Sequence, residues 1–526
     1  MGKKRYEAVI IGGGHNGLVA AAYLARAGKR ALVLERRHLV GGSAVTEEIF
    51  PGFKFSALSY VVSLLRPDII RDLELARHGL ELLPLESTLT PLPNGDYLMR
   101  GPDHDETRRE LYRHSPRDAE AYDDFGKLMH HLAFAVKHIL DTVPPNPTSL
   151  RPSDLLGLLD FVKHFRRLPP EQFYALCKLM TMSAADFLDE WFETDPLKAT
   201  MAASGVIGTF LGVRSPGTAY VLLHHYMGEI DGVFRAWGFA KGGTGAVSES
   251  IASAARELGV EIRTEASVAQ VIVKHGRAVG VALESGEEIY ARAVVTGVDP
   301  KRTFLGLVEP QHLPNDFLDA IRRFKIRGSS GKVNLALDQL PNFTCLPGKG
   351  PHLRGAISIS PSLEYMERAY DDAKYGEFSR HPYMDMIIPS MIDPGMAPPG
   401  KHVMSIFVQW APFELSGGWN DERREAFGDA VVDTLSEFAP NLKNAIIHRH
   451  VVTPWDMQET YGLTQGNIFH GELALHQLFF MRPAHPWANY RTPLKNLYQC
   501  GSGTHPGGGI TGASGRLAAL EILKDW

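Results

Sequence analysis

Glycines at positions 12, 14 and 17, a glutamate at position 35, a glycine-dense block at 501–509 and a lysine at position 332 have the types and spacing that carry chemistry. In Gly12-x-Gly14-x-x-Gly17 the first glycine permits a tight turn and the second lets a pyrophosphate approach the backbone, while the third packs a helix against a strand. Asn16 lies in the same turn, ahead of a helix start whose free N–H groups and dipole bind phosphate. Glu35 follows Gly17 by eighteen residues, where a carboxylate accepts hydrogen bonds from ribose hydroxyls. These features together describe a dinucleotide site.

The elements that must position them are legible nearby. Glu7 to Ile11 reads as a buried strand, Gly12 to Gly17 as a turn, Leu18 to Ala27 as an alanine-rich helix closed by Gly28, and Lys29 to Leu34 as a second strand. No residue from Ala8 to Ala25 is charged, the length of a membrane span, but the glycine run inside it argues against a continuous helix. A second glycine block, Gly242-Gly243-Thr244-Gly245, precedes a helix at 246–258, with strands at 260–263, 268–273 and 291–296. It has Ser248 where a third fingerprint glycine would stand, so a second dinucleotide fold is disfavoured. Asn496 to Cys500 reads as a strand, then Gly501-Ser502-Gly503 through Gly509 as a loop and Ile510 to Lys524 as a helix. Glycines at that density let backbone lie against a flat ring, and the helix start can stabilise negative charge on it. Lys332 opens a buried strand after the turn Arg327 to Gly331; a lysine at a strand edge is also a common device against edge pairing.

The 526 residues are 44% hydrophobic and 22% charged, an ordinary globular composition that fills two or three domains. A net charge of -5 gives no positive field for nucleic acid. Cys177, Cys345 and Cys500 form neither a disulfide framework nor a C-x-x-C pair, which suits a reducing compartment and excludes a disulfide reductase mechanism. No metal-ligand spacing appears. Residues 154–168 carry Leu155, Leu158, Leu159 and Val162 at helical spacing beside Lys163, His164, Arg166 and Arg167, a pattern of a domain-packing helix or of one lying on a membrane surface.

After Glu35 the chain runs Arg36-Arg37-His38-Leu39-Val40-Gly41-Gly42-Ser43-Ala44, and later Thr46 to Ser56 and Ser63 to Pro67. These segments, with the 501–509 block, resemble the amine oxidase and phytoene desaturase superfamily. That resemblance implies non-covalent FAD, with Arg36 among the residues that bind it, Gly42 and Ser43 beside its diphosphate and Val268 at its adenine. It also implies Gly501, Ser502, Gly503, Gly509 and Ile510 at the flavin, and Lys332 as a lysine that holds a water against the ring. The fold expected is α/β: a discontinuous Rossmann-like FAD-binding domain of residues 1–95, 235–300 and 490–526, interleaved with an α+β substrate domain of 96–234 and 301–489.

The activity implied is hydride abstraction from a C–H bond of a largely apolar small molecule or lipid. Oxidation of an amine C–N bond, isomerisation, and an FAD-stabilised partner-binding protein with little turnover are the alternatives. Phe469, Phe479 and Phe480 are expected to line the substrate cavity. No transmembrane segment is expected, and peripheral membrane contact and oligomerisation stay open. The resemblance places a bacterial chain in the cytoplasm and a eukaryotic one in the mitochondrial matrix, although no transit peptide is visible.

Overall fold

Alternation along Tyr6–Ile11, the strand β1, sets the first layer of the molecule: Ala8 and Ile10 pack on one side of the sheet, Val9 and Ile11 on the other. The computed structural model describes residues 6–526. Strand β1 lies between two parallel neighbours, β2 (Ala31–Leu34) and the strand Glu288–Thr296, with Ile11 level with both Leu34 and Thr296. Glu261–Arg263 extends the parallel sheet beyond β2, and Leu497–Gln499 pairs in parallel with the end of Glu288–Thr296. An antiparallel pair, Val268–Lys274 and Arg277–Leu283, continues from the same strand.

On the Ala8/Ile10 side pack α1 (His15–Arg26) and the helices Gly245–Glu257 and Ala513–Lys524. This is the Rossmann-type layer, assembled from segments far apart in the chain. Helix α1 begins three residues earlier than Leu18. Glycine is a poor helix former, but tertiary packing overrides that preference at Gly17, whose missing side chain lets the first turn sit against Gly12. The C-terminal helix starts later than expected, at Ala513, because Gly509, Ile510 and Gly512 all hold positive φ.

A second, mixed sheet runs in the order Ile446–Val452, Ser330–Leu337, His402–Gln409, Tyr383–Ile387, Ala356–Ile359, Thr88–Pro91, Tyr97–Arg100. Thr88–Pro91 thus belongs to this sheet although it precedes residue 95. Val333, Leu335 and Leu337 point into an apolar cluster beneath the helix Asp421–Phe438. The opposite face, with Ala336 and Phe407, meets a helical layer that includes Pro116–Leu140 and Thr218–Tyr226. The helix Pro152–Arg166 has no buried residue, and Leu156 and Leu159 are exposed, so it does not pack as a core helix. No helix among the described residues is long and apolar enough to cross a membrane.

Candidate active site

Open α/β sheets bind ligands outside the carboxyl ends of their strands, and here the ends of β1, β2 and Glu288–Thr296 open into a cavity of about 450 Å³. Gly12, with φ +94°, turns the chain out of β1. A side chain on Gly17 would place its Cβ 2.2 Å from the Gly12 carbonyl oxygen, so the helix start is closed against the turn. Gly14 is different: a Cβ there meets no protein atom nearer than 4.0 Å, and the residue lines the cavity. Space beside Gly14 is thus left for something other than protein.

Gly42 also lines the cavity, and its own Cβ would come 3.3 Å from the Gly14 Cα, so the two glycine turns lie against each other. Ser43 follows it on the same wall. Glu35 is buried at the end of β2, where Oε2 accepts from the Gly13 N–H at 2.8 Å and Oε1 from the Arg37 N–H at 2.9 Å. It therefore fixes the glycine turn while still facing the cavity. Arg36 lines the same end, but its guanidinium donates to the carbonyls of Glu459 (3.0 Å) and Thr460 (2.7 Å), tying down the helix Pro454–Tyr461. Burial holds Arg36 below its ordinary pKa, with Arg302 next in effect. Val268 lies on the wall beyond Glu35.

The C-terminal block meets the N-terminal one through Asn16, whose amide donates to Ser502 Oγ at 3.0 Å. Ser502, Gly509 and Ile510 line the cavity. Ile510 holds φ +57°, an outlier for a β-branched residue that the surrounding packing must enforce. Gly501 and Gly503 stand behind the wall instead. Their Cβ positions fall 2.5 Å from the Gly297 carbonyl oxygen and 2.3 Å from Pro300 Cδ, so these glycines serve chain packing.

At the other end stands Lys332, 1% exposed, its Nζ without a hydrogen-bond partner among the described residues and 4.6 Å from the centre of the Tyr60 ring. The Tyr60 hydroxyl donates to Asp385 Oδ2 at 2.7 Å. Lys332, Phe407 and Asp385 are opposed on adjacent strands and so share one sheet face. Burial pushes the lysine down to about 7, against a partial upward pull from Asp385, and pushes Asp385 up to about 6. Sequence reasoning missed Tyr60 and Asp385, which are 325 residues apart and have no shared motif.

Two histidines join these groups at the cavity. His15 Nε2 and His470 Nδ1 are buried at the cavity without partners among the described residues. Burial, with His470 adding repulsion, lowers His15 to about 4, so both lone pairs and N–H groups are available to a polar ligand.

Among the aromatic residues expected at the substrate, Phe469 lines the cavity and stacks on His225 at 6.1 Å, which in turn stacks on Trp237 at 6.4 Å. Phe479 and Phe480 do not line it. They pack on Phe161 of the exposed helix at 5.4 and 5.8 Å, because the chain turns at Phe479 with φ +49°. Arg482 braces this region from inside, donating to the carbonyls of Phe469, Gly471, Glu472, Ser502 and Thr504. Cys500, at its strand end, is buried in the core, and burial pushes its thiol up to about 12.

Residues 17–523 match the family described as flavin containing amine oxidoreductase. The chain belongs to that family. It is 42% identical to pyridine nucleotide-disulfide oxidoreductase domain-containing protein 2 of Rattus norvegicus, over 99% of this chain and 94% of the relative. A limonene dehydrogenase component from Castellaniella defragrans is 26% identical over 99% of this chain and 95% of its own. Among solved structures, cyclohexylamine oxidase from Brevibacterium oxydans has the same fold, with a TM-score of 0.56, 18% identity, and coverage of 99% of both chains. The protein is a flavin-dependent oxidoreductase, and the cavity between the glycine turns and Lys332 is where a flavin fits. The open space at Gly14 and the unpartnered polar atoms of His15, His470 and Lys332 are the features of this chain that such a ligand would fill.

Proposed function

We propose that the protein holds FAD non-covalently and removes hydride from a C–H bond of a largely apolar small molecule. FAD, when bound, supplies the acceptor for the two electrons and the proton that leave the substrate carbon together. The observation that carries this reading is the continuity of one cavity, from the phosphate-type turn at Gly14 to a wall of Val61, Ile207, Phe407, Ile468 and Phe469 in which Lys332 is the charged group. Gly14, the α1 start and Gly42-Ser43 would hold the diphosphate, Glu35 a ribose, Val268 the adenine, and Ser502, Gly509 and Ile510 the flavin end. The apolar wall excludes water and orients the substrate.

Lys332 holds or releases a proton at Nζ and places positive charge where the reduced ring would carry negative charge. The buried Cys500 thiol, held protonated, is not placed for covalent attachment. Similarity to the limonene dehydrogenase component supports an apolar hydrocarbon substrate. Amine oxidation is the second reading, favoured by the family description and by the fold shared with cyclohexylamine oxidase. Anaerobic titration of the purified protein separates the two: terpenes and polyenes bleach the flavin absorbance if the C–H reading holds, and amines alone bleach it if the second does. Acid precipitation should release the flavin into the supernatant; flavin retained in the pellet, or no flavin absorbance, overturns the proposal.

A further inference from the structure

Arg482, the fully buried arginine among the described residues, is satisfied by a cage of main-chain carbonyls. Arg100 and Arg235 are not treated this way. Among the described residues neither has a carboxylate within 4.0 Å, and neither guanidinium donates to a carbonyl. Arg100 donates to Thr200 Oγ1, at 3.4 Å, and both arginines stand close enough to the Tyr122 hydroxyl to act on its titration. The Arg235 guanidinium lies 4.1 Å from the centre of the Tyr226 ring, and the Tyr226 hydroxyl, itself buried, has no partner among the described residues.

Two cations that act on one hydroxyl, and one on the other, are near neighbours. Such a pair with no counterion repels and keeps most of its donors unused. Tyr122 registers this directly: burial drives its pKa up, yet Arg235 and Arg100 outweigh that and leave it below the ordinary value. Both arginines remain half-buried, so part of each side chain stays open to solvent.

The register of the second sheet relates this group to Lys332, although none of its four residues lines the cavity itself. Arg100 opposes Thr88, and Thr88 opposes Ala356; Ala356 shares a face with Ser358, which opposes Asp385, then Phe407, then Lys332. Opposed residues and residues two apart on one strand share a face, so Arg100 and Lys332 lie on the same side of the sheet, five strand spacings of roughly 4.8 Å apart. Arg235 is two residues from Trp237, and Tyr226 is next to His225; Trp237 and His225 line the cavity. The carboxyl of Asp385 is within the field of both Lys332 and Arg100.

We propose that Arg100 and Arg235, with the hydroxyls of Tyr122 and Tyr226, form a subsite for an anionic group of the substrate, a carboxylate or phosphate at the end of an apolar body. Guanidinium donors pair with two oxygens of such a group, and the anion supplies the counterion that the protein does not. This rests on the oxidoreductase reading for the location of the reacting end, and makes the substrate amphipathic rather than a plain hydrocarbon.

Calorimetric titration of the flavin-loaded protein with octanoate and with 1-octanol tests it. Octanoate should bind, and both R100Q and R235Q should weaken it about 10- to 100-fold, the loss of one charged hydrogen-bonding partner, while 1-octanol binding is unchanged. R235K should restore part of the octanoate affinity. Removing one of two unpaired cations should also leave thermal stability equal to or above that of the parent, where a structural arginine would lower it. Octanoate affinity unchanged in both folded variants overturns the proposal. Acetate or inorganic phosphate binding as tightly as octanoate overturns it too, because the site would then serve a free anion. Flavin absorbance, recorded in the same samples, tests the oxidoreductase reading independently.

Discussion

The two ends of the cavity are built by opposite means. At the nucleotide end, main-chain geometry makes the site: Gly12 turns, Gly17 closes onto Gly12, and Gly14 leaves space, all within six residues of one another. At the Lys332 end, side chains make it, and they arrive from three separate places, Tyr60 before the second sheet and Lys332 and Asp385 on two of its strands. Main-chain sites tolerate little substitution because the contact is with backbone. Side-chain sites can be retuned one group at a time, which is how one fold serves many substrates.

The sharpest way to break this comparison is inside the glycine turn itself. Gly17→Ala sets a methyl 2.2 Å from a carbonyl oxygen, so the helix start must shift; we expect a stability loss of about 3 kcal/mol or more by denaturant unfolding. Gly14→Val brings its Cβ no nearer than 4.0 Å to the protein, so the chain should fold and purify colourless, lacking flavin. Flavin retained by Gly14→Val would show that the space beside Gly14 is not the diphosphate position.

Lys332→Met carries the next effect, at the opposite end. Flavin reduction or reoxidation, followed by stopped-flow absorbance, should slow by roughly ten- to a thousandfold with the flavin still bound. Stability gives a second readout. The lysine is depressed from 10.5 to about 7, so its charged form is disfavoured in the folded protein: the cost is fully present below about 7, fades as pH rises, and is gone above 10.5. Lys332→Met should therefore melt higher than the parent at pH 6, with the gap closing toward pH 10. A constant gap would mean that the ammonium is not desolvated.

What was legible in the sequence follows the same division. The fingerprint at 12–17 and Glu35 could be read because their spacing is their geometry, a turn of fixed length between a strand and a helix. Phe479 and Phe480 show the limit: residue type suggests a cavity wall, but one positive φ turns both rings onto Phe161. Arg100 and Arg235 show it more strongly. Neither belongs to a motif, and only the fold brings both near Tyr122. Gly501 and Gly503 show the converse limit, since a glycine needed for packing and one needed for ligand approach look alike in sequence.

Glu35→Ala sharpens the comparison within the nucleotide end, because this residue is the one place there where a side chain acts. Losing its bonds to the Gly13 and Arg37 N–H groups and to a ribose should weaken flavin retention about 10- to 100-fold, measured by dialysis against apoprotein. Retention as poor as in Gly14→Val would place Glu35 on a level with the main chain.

The smallest expected effect is that of Tyr60→Phe, which keeps the ring beneath Lys332 and removes only the hydroxyl that donates to Asp385. That bond favours the ionised carboxylate, so without it Asp385 rises further above its present value of about 6 and is protonated over more of the neutral range. Lys332 then loses the nearby negative charge that partly offsets its burial, and its own value falls below about 7. A rate that depends on the ammonium should therefore move its pH midpoint to the acid side by roughly half to one unit, the equivalent of one ordinary hydrogen bond. Near pH 7 the change in rate is only a few-fold, so the full pH profile of flavin reduction is the measurement needed. Asp385→Asn should move it further in the same direction. A profile that stays fixed in both variants while Lys332→Met abolishes it would make the lysine independent of its neighbours, and the side-chain end of the cavity would reduce to a single residue.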